Sequence, residues 1–111
     1  MNIKQGADKV FAFYVYNQAG EVVLEEPENI VFTAVQQLPC GNQVEVQKEL
    51  NKGIVFDGES GKYRLSFVPE DTINLKTGGY PFDIKIKRAG KQYFVVKEGM
   101  LKIVKSYTGA I

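Results

Sequence analysis

Hydrophobic and polar positions alternate along most of this chain. In residues 62–68, Tyr63, Leu65 and Phe67 interleave with Lys62, Arg64 and Ser66. That is the period-two pattern of a strand with one buried face. Residues 80–87 repeat it, with Tyr80, Phe82, Ile84 and Ile86 against Asp83, Lys85 and Lys87. Val44, Val46, Lys48 and Leu50 alternate with Glu45, Gln47 and Glu49, which predicts a strand with one wet face. Residues 29–36 alternate as well, but Ile30, Phe32 and Ala34 oppose Val31, Thr33 and Val35, so both faces suit a central strand. Further strands are predicted over residues 9–16, 21–24, 54–56 and 101–104, and after Lys91.

Turn chemistry punctuates these runs. Asn17-Gln18-Ala19-Gly20 is a turn in which Gly20 is free to take positive φ. Pro27 cannot donate to a ladder and breaks the pattern at residues 25–28. Residues 38–42, 51–53 and 57–61 read as loops or turns, and Gly99-Met100 as a break between two strands. Residues 69–72 suit either one helical turn capped by Asp71 or Thr72, or a corner between sheets, and the corner is preferred. Residues 1–8 form an extended arm or a first edge strand. For the hairpin around Ala89-Gly90, a two-residue turn pairs Lys85 with Phe94 and puts Phe94 on the wet face. A three-residue loop, Arg88-Ala89-Gly90, pairs Ile84 with Phe94 and Phe82 with Val96. The second register keeps the large side chains together and is preferred. It leaves Tyr93 and Val95 outside, beside Lys85 and Asp83.

About eight or nine short strands, turn signals every ~8–12 residues and no convincing helix predict an all-β fold. The expected architecture is an antiparallel immunoglobulin-like β-sandwich, one domain over residues 1–111. Leu75-Lys76-Thr77-Gly78-Gly79-Tyr80 fits a tyrosine corner, in which Tyr80 hydrogen-bonds back to upstream backbone. A buried core tyrosine at a strand start has the same sequence pattern.

Composition narrows the chemistry. Hydrophobic residues make up 44% and charged residues 24%, as in chains that bury one core. No run approaches the ~18 apolar residues of a membrane span, and Met1-Asn2-Ile3-Lys4 opens no secretory signal. The single cysteine, Cys40, excludes an internal disulfide and suits a reducing place of synthesis. A net charge of +1 argues against a dedicated nucleic-acid binder. Charge is uneven, however: residues 80–111 carry seven Lys/Arg and two acids, a net of +5, and the preceding residues carry −4. This reads either as solvated faces or as head-to-tail contact between copies.

The absence of histidine removes Ser-His and Cys-His nucleophiles and His-based metal sites. Glu25/Glu26, Glu70/Asp71 and Asp57/Glu59 sit in turns, where solvation is expected rather than acid–base work across a cleft. Asp57 and Glu59 with Asp71 match no cation loop, and no glycine cluster forms a phosphate cradle. No catalytic, metal or cofactor residue is therefore expected, and the chain reads as a non-enzyme. Lys85, Lys87 and Tyr93 bring basic and aromatic side chains together, as a single-stranded nucleic-acid site does, but a solvated sheet face is the preferred reading. Tyr14, Tyr16 and Tyr93 are the candidates for a carbohydrate platform.

Several segments together resemble small phage virion proteins. They are Ile3-Lys4-Gln5-Gly6-Ala7-Asp8, an aromatic strand ending at Gly20, and Ile30-Val31-Phe32-Thr33-Ala34, followed by residues 48–54. Tyr63-Arg64-Leu65-Ser66-Phe67, Pro69-Glu70-Asp71-Thr72 and Leu75-Lys76-Thr77-Gly78-Gly79-Tyr80-Pro81-Phe82-Asp83-Ile84 complete the set. The pattern is similar to the immunoglobulin-like N-terminal domain of lactococcal phage baseplate upper proteins and related tail or neck modules. Such domains often precede a longer fibre or receptor-binding region. The resemblance implies a scaffold or adaptor in a virion, made in a bacterial cytoplasm and acting by self-association or contact with other virion proteins, with no cofactor, membrane or nucleic acid. Lys85, Tyr93 and Val95 are the expected interface, and residues 1–8 the expected strand donor to a neighbour. The alternative is a carbohydrate-binding surface module.

Overall fold

Apolar alternation becomes one continuous sheet. The computed structural model describes residues 1–107; the expected domain runs on over 108–111, which lie outside the described residues. The strands are β1 (Asn2–Lys4), β2 (Lys9–Tyr14), β3 (Asn29–Leu38), β4 (Gly41–Leu50), β5 (Gly53–Asp57), β6 (Lys62–Phe67), β7 (Gly78–Arg88) and β8 (Lys91–Val104). One helical turn, α1 (Pro69–Thr72), separates β6 from β7. The all-β expectation holds. The strands, however, join a single sheet in the order β1-β8-β7-β3-β4-β5-β6-β2, curled nearly into a barrel. The sequence predicts two antiparallel sheets; here β1 runs parallel to β8 and β5 parallel to β4. Alternation specifies which face of a strand is buried, not which neighbour it takes, so the strand order is not written in the pattern.

The inward faces are those the alternation marks. Ile30, Phe32 and Ala34 of β3, Tyr63, Leu65 and Phe67 of β6, and Phe82, Ile84 and Ile86 of β7 are buried together. Phe32 is the hub, with its ring edge-on to Phe67 at 5.6 Å and tilted against Phe82 at 5.0 Å. Each such aromatic pair adds about 0.5–1.5 kcal/mol beyond its buried area. Tyr80 is buried at the start of β7, and its hydroxyl donates to the Lys76 carbonyl at 2.6 Å, the back-bond of a tyrosine corner.

Three predicted boundaries move. Residues 21–24 form no strand; a lone bridge joins Tyr16 to Val22 beyond an Asn17–Gly20 turn. Residues 69–72 are helical; Val68, not Asp71 or Thr72, is the N-cap, and Asp71 in the first turn reaches back so that its Oδ2 accepts the Val68 N–H at 2.8 Å. Gly99-Met100 does not interrupt β8, because Gly99 lies beneath the Phe82 ring, where any Cβ would collide. The ring covers a glycine that, left bare, weakens a strand.

Within residues 1–8, residues 2–4 form a docked edge strand rather than a free arm. Ile3 is buried, the Lys102 N–H donates to the Met1 carbonyl at 2.8 Å, and Gln5 N–H donates to the Val104 carbonyl at 2.9 Å. The turn that follows is tied to α1: Gly6 N–H donates to Thr72 Oγ1 at 2.9 Å, and Gln5 Nε2 to the Leu75 carbonyl at 2.5 Å. Lys48 pairs with Asp71 at 2.7 Å in a mostly buried contact that fixes α1 against β4. The arm is spent on its own barrel, which removes it as a donor to a neighbour.

Candidate interaction site at the barrel seam

The strand order places β1 and β2 at opposite ends of the sheet, yet they are consecutive in the chain. The connection over residues 5–8 therefore holds the two sheet ends together at one point. Away from it the seam opens. Among the described residues, β1 covers only Lys102, Ile103 and Val104 of β8, while β8 begins at Lys91. Residues 91–99 pair with β7 on one side and carry no ladder on the other. At about 3.3 Å per residue this is an uncovered edge of roughly 30 Å. The facing edge belongs to β2 and its continuation, where Val15 accepts the Val23 N–H and Asn17 N–H donates to Glu21.

A cleft of about 580 Å³ occupies the open end of the seam. Tyr14, Val15 and Tyr16 line one wall, and Ile86, Arg88, Tyr93 and Val95 the other. Tyr14 is 38% exposed, Tyr16 59% and Tyr93 52%. The Tyr14 and Tyr16 rings lie 6.5 Å apart. The three tyrosines singled out for a carbohydrate platform thus share one cleft.

The register of the β7–β8 hairpin explains how Tyr93 reaches it, and corrects the preferred pairing. Arg88 faces Lys91, Ile86 faces Tyr93 and Lys85 faces Phe94, so the turn has two residues, Ala89 and Gly90. Both are left-handed, at φ 52° and 74°, as a type I′ turn requires. Phe94 does sit half-exposed on the outer face, but Lys85 Nζ lies 5.0 Å from its ring centroid. A cation over the ring offsets part of that exposure. Two irregularities then shift the ladder, giving Ile84 opposite Val96 and Phe82 opposite Gly99. The expected interface trio is split in consequence. Tyr93 and Val95 line the cleft, while Lys85 lies on the outer face in a groove with Asn29, Val31, Thr33, Asp83 and Gln92.

Arg88 is the cleft residue that the sequence pattern does not mark. One of its Nη nitrogens donates to the Glu25 carbonyl at 2.7 Å. Its Nε is buried and, among the described residues, makes no hydrogen bond of good geometry; the same is true of the Tyr63 hydroxyl. Burial raises the Tyr63 pKa, and the charge of the neighbouring Arg88 and a hydrogen bond from it oppose that rise. The two buried atoms that lack an ideally placed hydrogen bond are therefore each other's neighbours. The basic end also meets acid within the same chain. Glu28 accepts from Gly90 N–H at 2.9 Å and lies 3.8 Å from Lys87 Nζ, so part of the charge asymmetry is neutralised internally.

Elsewhere Asp57 and Asp71 are engaged locally. The Asp57 carboxylate accepts from Ser60 Oγ at 2.8 Å and from the Glu59 N–H at 3.1 Å, and the serine hydrogen bond leads in lowering its pKa. Asp71 is held by Lys48, so Asp57, Glu59 and Asp71 do not converge. Among the described residues no group of three or more acidic or Cys side chains is placed to hold a metal ion. Cys40 is exposed in the β3–β4 turn. No protein-family model matches the chain, and no curated protein matches it.

Proposed function

We propose that this chain is a non-enzymatic assembly module of a phage or prophage particle, related to the immunoglobulin-like modules it resembles and working by protein–protein contact. One observation carries the reading: the uncovered edge of β8 over residues 91–99, beside a cleft walled by exposed tyrosines. Long exposed edges are normally shortened, bulged or covered, because they template pairing with another chain. This one is left open because, among the described residues, β1 covers β8 only at residues 102–104. Aromatic side chains at its rim are the residue type that anchors protein interfaces. Quantitative mass spectrometry of purified particles from the encoding strain tests the reading. The chain is expected in several copies per particle, and deletion of its gene stalls assembly. Intact infectious particles without it would refute the proposal.

A second reading has its own support. Tyr14, Tyr16 and Tyr93 converge on one cleft, as a carbohydrate-binding surface module requires. Glycan-array binding lost on Tyr16→Ala and Tyr93→Ala would favour it.

A further inference from the structure

We propose that the seam cleft takes an extended, acidic polypeptide segment of a partner protein, laid along the free edge of β8. This rests on the assembly reading and specifies the partner's chemistry. Three features select a strand. First, the edge offers backbone groups. Ladder bonds alternate along an antiparallel pair, and the pair flanking a two-residue turn, Arg88–Lys91, is a bonded one. Ile86–Tyr93 is then bonded as well, and the N–H and C=O groups of Gln92 and Phe94 point away from β7 into the seam. Second, the cleft beside that edge is lined by Tyr14, Tyr16 and Tyr93, which accept the apolar side chains on alternate positions of an added strand. Third, charge selects the other positions. Arg88 lines the cleft, and Lys91 lies on the same open stretch, whose one acid is Glu98. A carboxylate arriving beside Arg88 makes a charge-assisted hydrogen bond.

The test uses the whole chain and three synthetic nine-residue peptides: alternating Val and Glu, the same with Lys for Glu, and the Val/Glu peptide with a central Pro. Amide chemical shifts and fluorescence anisotropy at low salt report binding. The Val/Glu peptide is expected to bind at least about tenfold more tightly than the other two, with shifts centred on Tyr14, Tyr16 and residues 88–95. Gln92→Pro removes one edge donor and is expected to weaken binding by about tenfold or more, whereas Gln92→Ala stays within about twofold. Arg88→Gln is expected to erase the preference for Glu over Lys. The wild-type shift map needs no variant, so misfolding of a mutant does not rescue the idea. No binding of the Val/Glu peptide, equal binding of the Lys peptide, shifts on another face, or displacement of the peptide by a glycan would each overturn it. Loss of peptide binding with the chain still present in particles refutes this inference alone. Peptide binding by a chain absent from particles refutes the assembly reading instead.

Discussion

Replacing Tyr63 with Phe is expected to stabilise this protein. Tyr63 is fully buried, with its ring stacked on Phe13 at 5.2 Å and against Phe56 at 4.7 Å. Phenylalanine keeps those ring contacts. What it removes is a buried hydroxyl that lies beside Arg88 but makes no hydrogen bond of good geometry among the described residues. An unsatisfied buried polar group costs about 1–3 kcal/mol. Loss of the dipole beside Arg88 offsets part of the gain, so the net is about 1 kcal/mol, or roughly 4 °C in Tm for a domain of this size. Tyr80→Phe is the opposite control. It deletes a hydroxyl that donates to Lys76 at 2.6 Å and is expected to cost about 1 kcal/mol. The alkaline limb supplies a second readout. Burial raises the pKa of both tyrosines. Above about pH 10 the unfolded chain loses these protons while the folded chain keeps them, so stability is full below that pH and falls as pH rises. Tyr63→Phe removes one such group and flattens the fall by at most about 1.36 kcal/mol per pH unit. Urea unfolding followed by circular dichroism between pH 7 and 11 measures both effects. A destabilised Tyr63→Phe with an unchanged alkaline slope would refute the reasoning and show that the hydroxyl is bonded in solution.

Other perturbations have definite signs. Ala89 holds φ 52° in the β7–β8 turn; Ala89→Asn is expected to stabilise by about 1 kcal/mol, read as a rise in Tm. Gly99→Val drives a side chain into the Phe82 ring and should cost about 1–3 kcal/mol in denaturant unfolding. Asp71→Ala strands the Lys48 ammonium and frees the Val68 N–H; a loss of about 2–4 kcal/mol is expected, and the double variant with Lys48→Met should recover part of it. Ile3→Ala removes a buried side chain from β1; a loss of about 2–4 kcal/mol by thermal melting would confirm that the N-terminal strand belongs to the barrel.

Much of the core was legible. Tyr63, Leu65 and Phe67, and Tyr80, Phe82, Ile84 and Ile86, point inward as their alternation requires. The Asn17–Gly20 turn and the position of β3 as a central strand were legible for the same local reasons. What alternation does not encode is strand order. The parallel docking of β1 on β8 joins Asn2 to Lys102 across nearly the whole chain, and no local pattern announces such a pairing. The hairpin register is likewise not set by alternation. Burial of Phe94 favours the three-residue loop, but two adjacent left-handed residues suit the twist of the strands, and Lys85 shelters the exposed ring. That choice displaced the candidate site as well. Tyr93 and Val95 belong to the seam and Lys85 to the outer face, and Arg88 enters only because the two-residue turn aims it at the cleft.

The open edge of β8 is the proposed place at which this protein meets its neighbours. Cryo-electron microscopy of the assembled particle tests that most directly. A backbone segment from another chain running alongside residues 91–99 at the ladder spacing of about 4.8 Å is the predicted result. A particle in which that edge faces solvent, with contacts made through another face of the barrel, would contradict it.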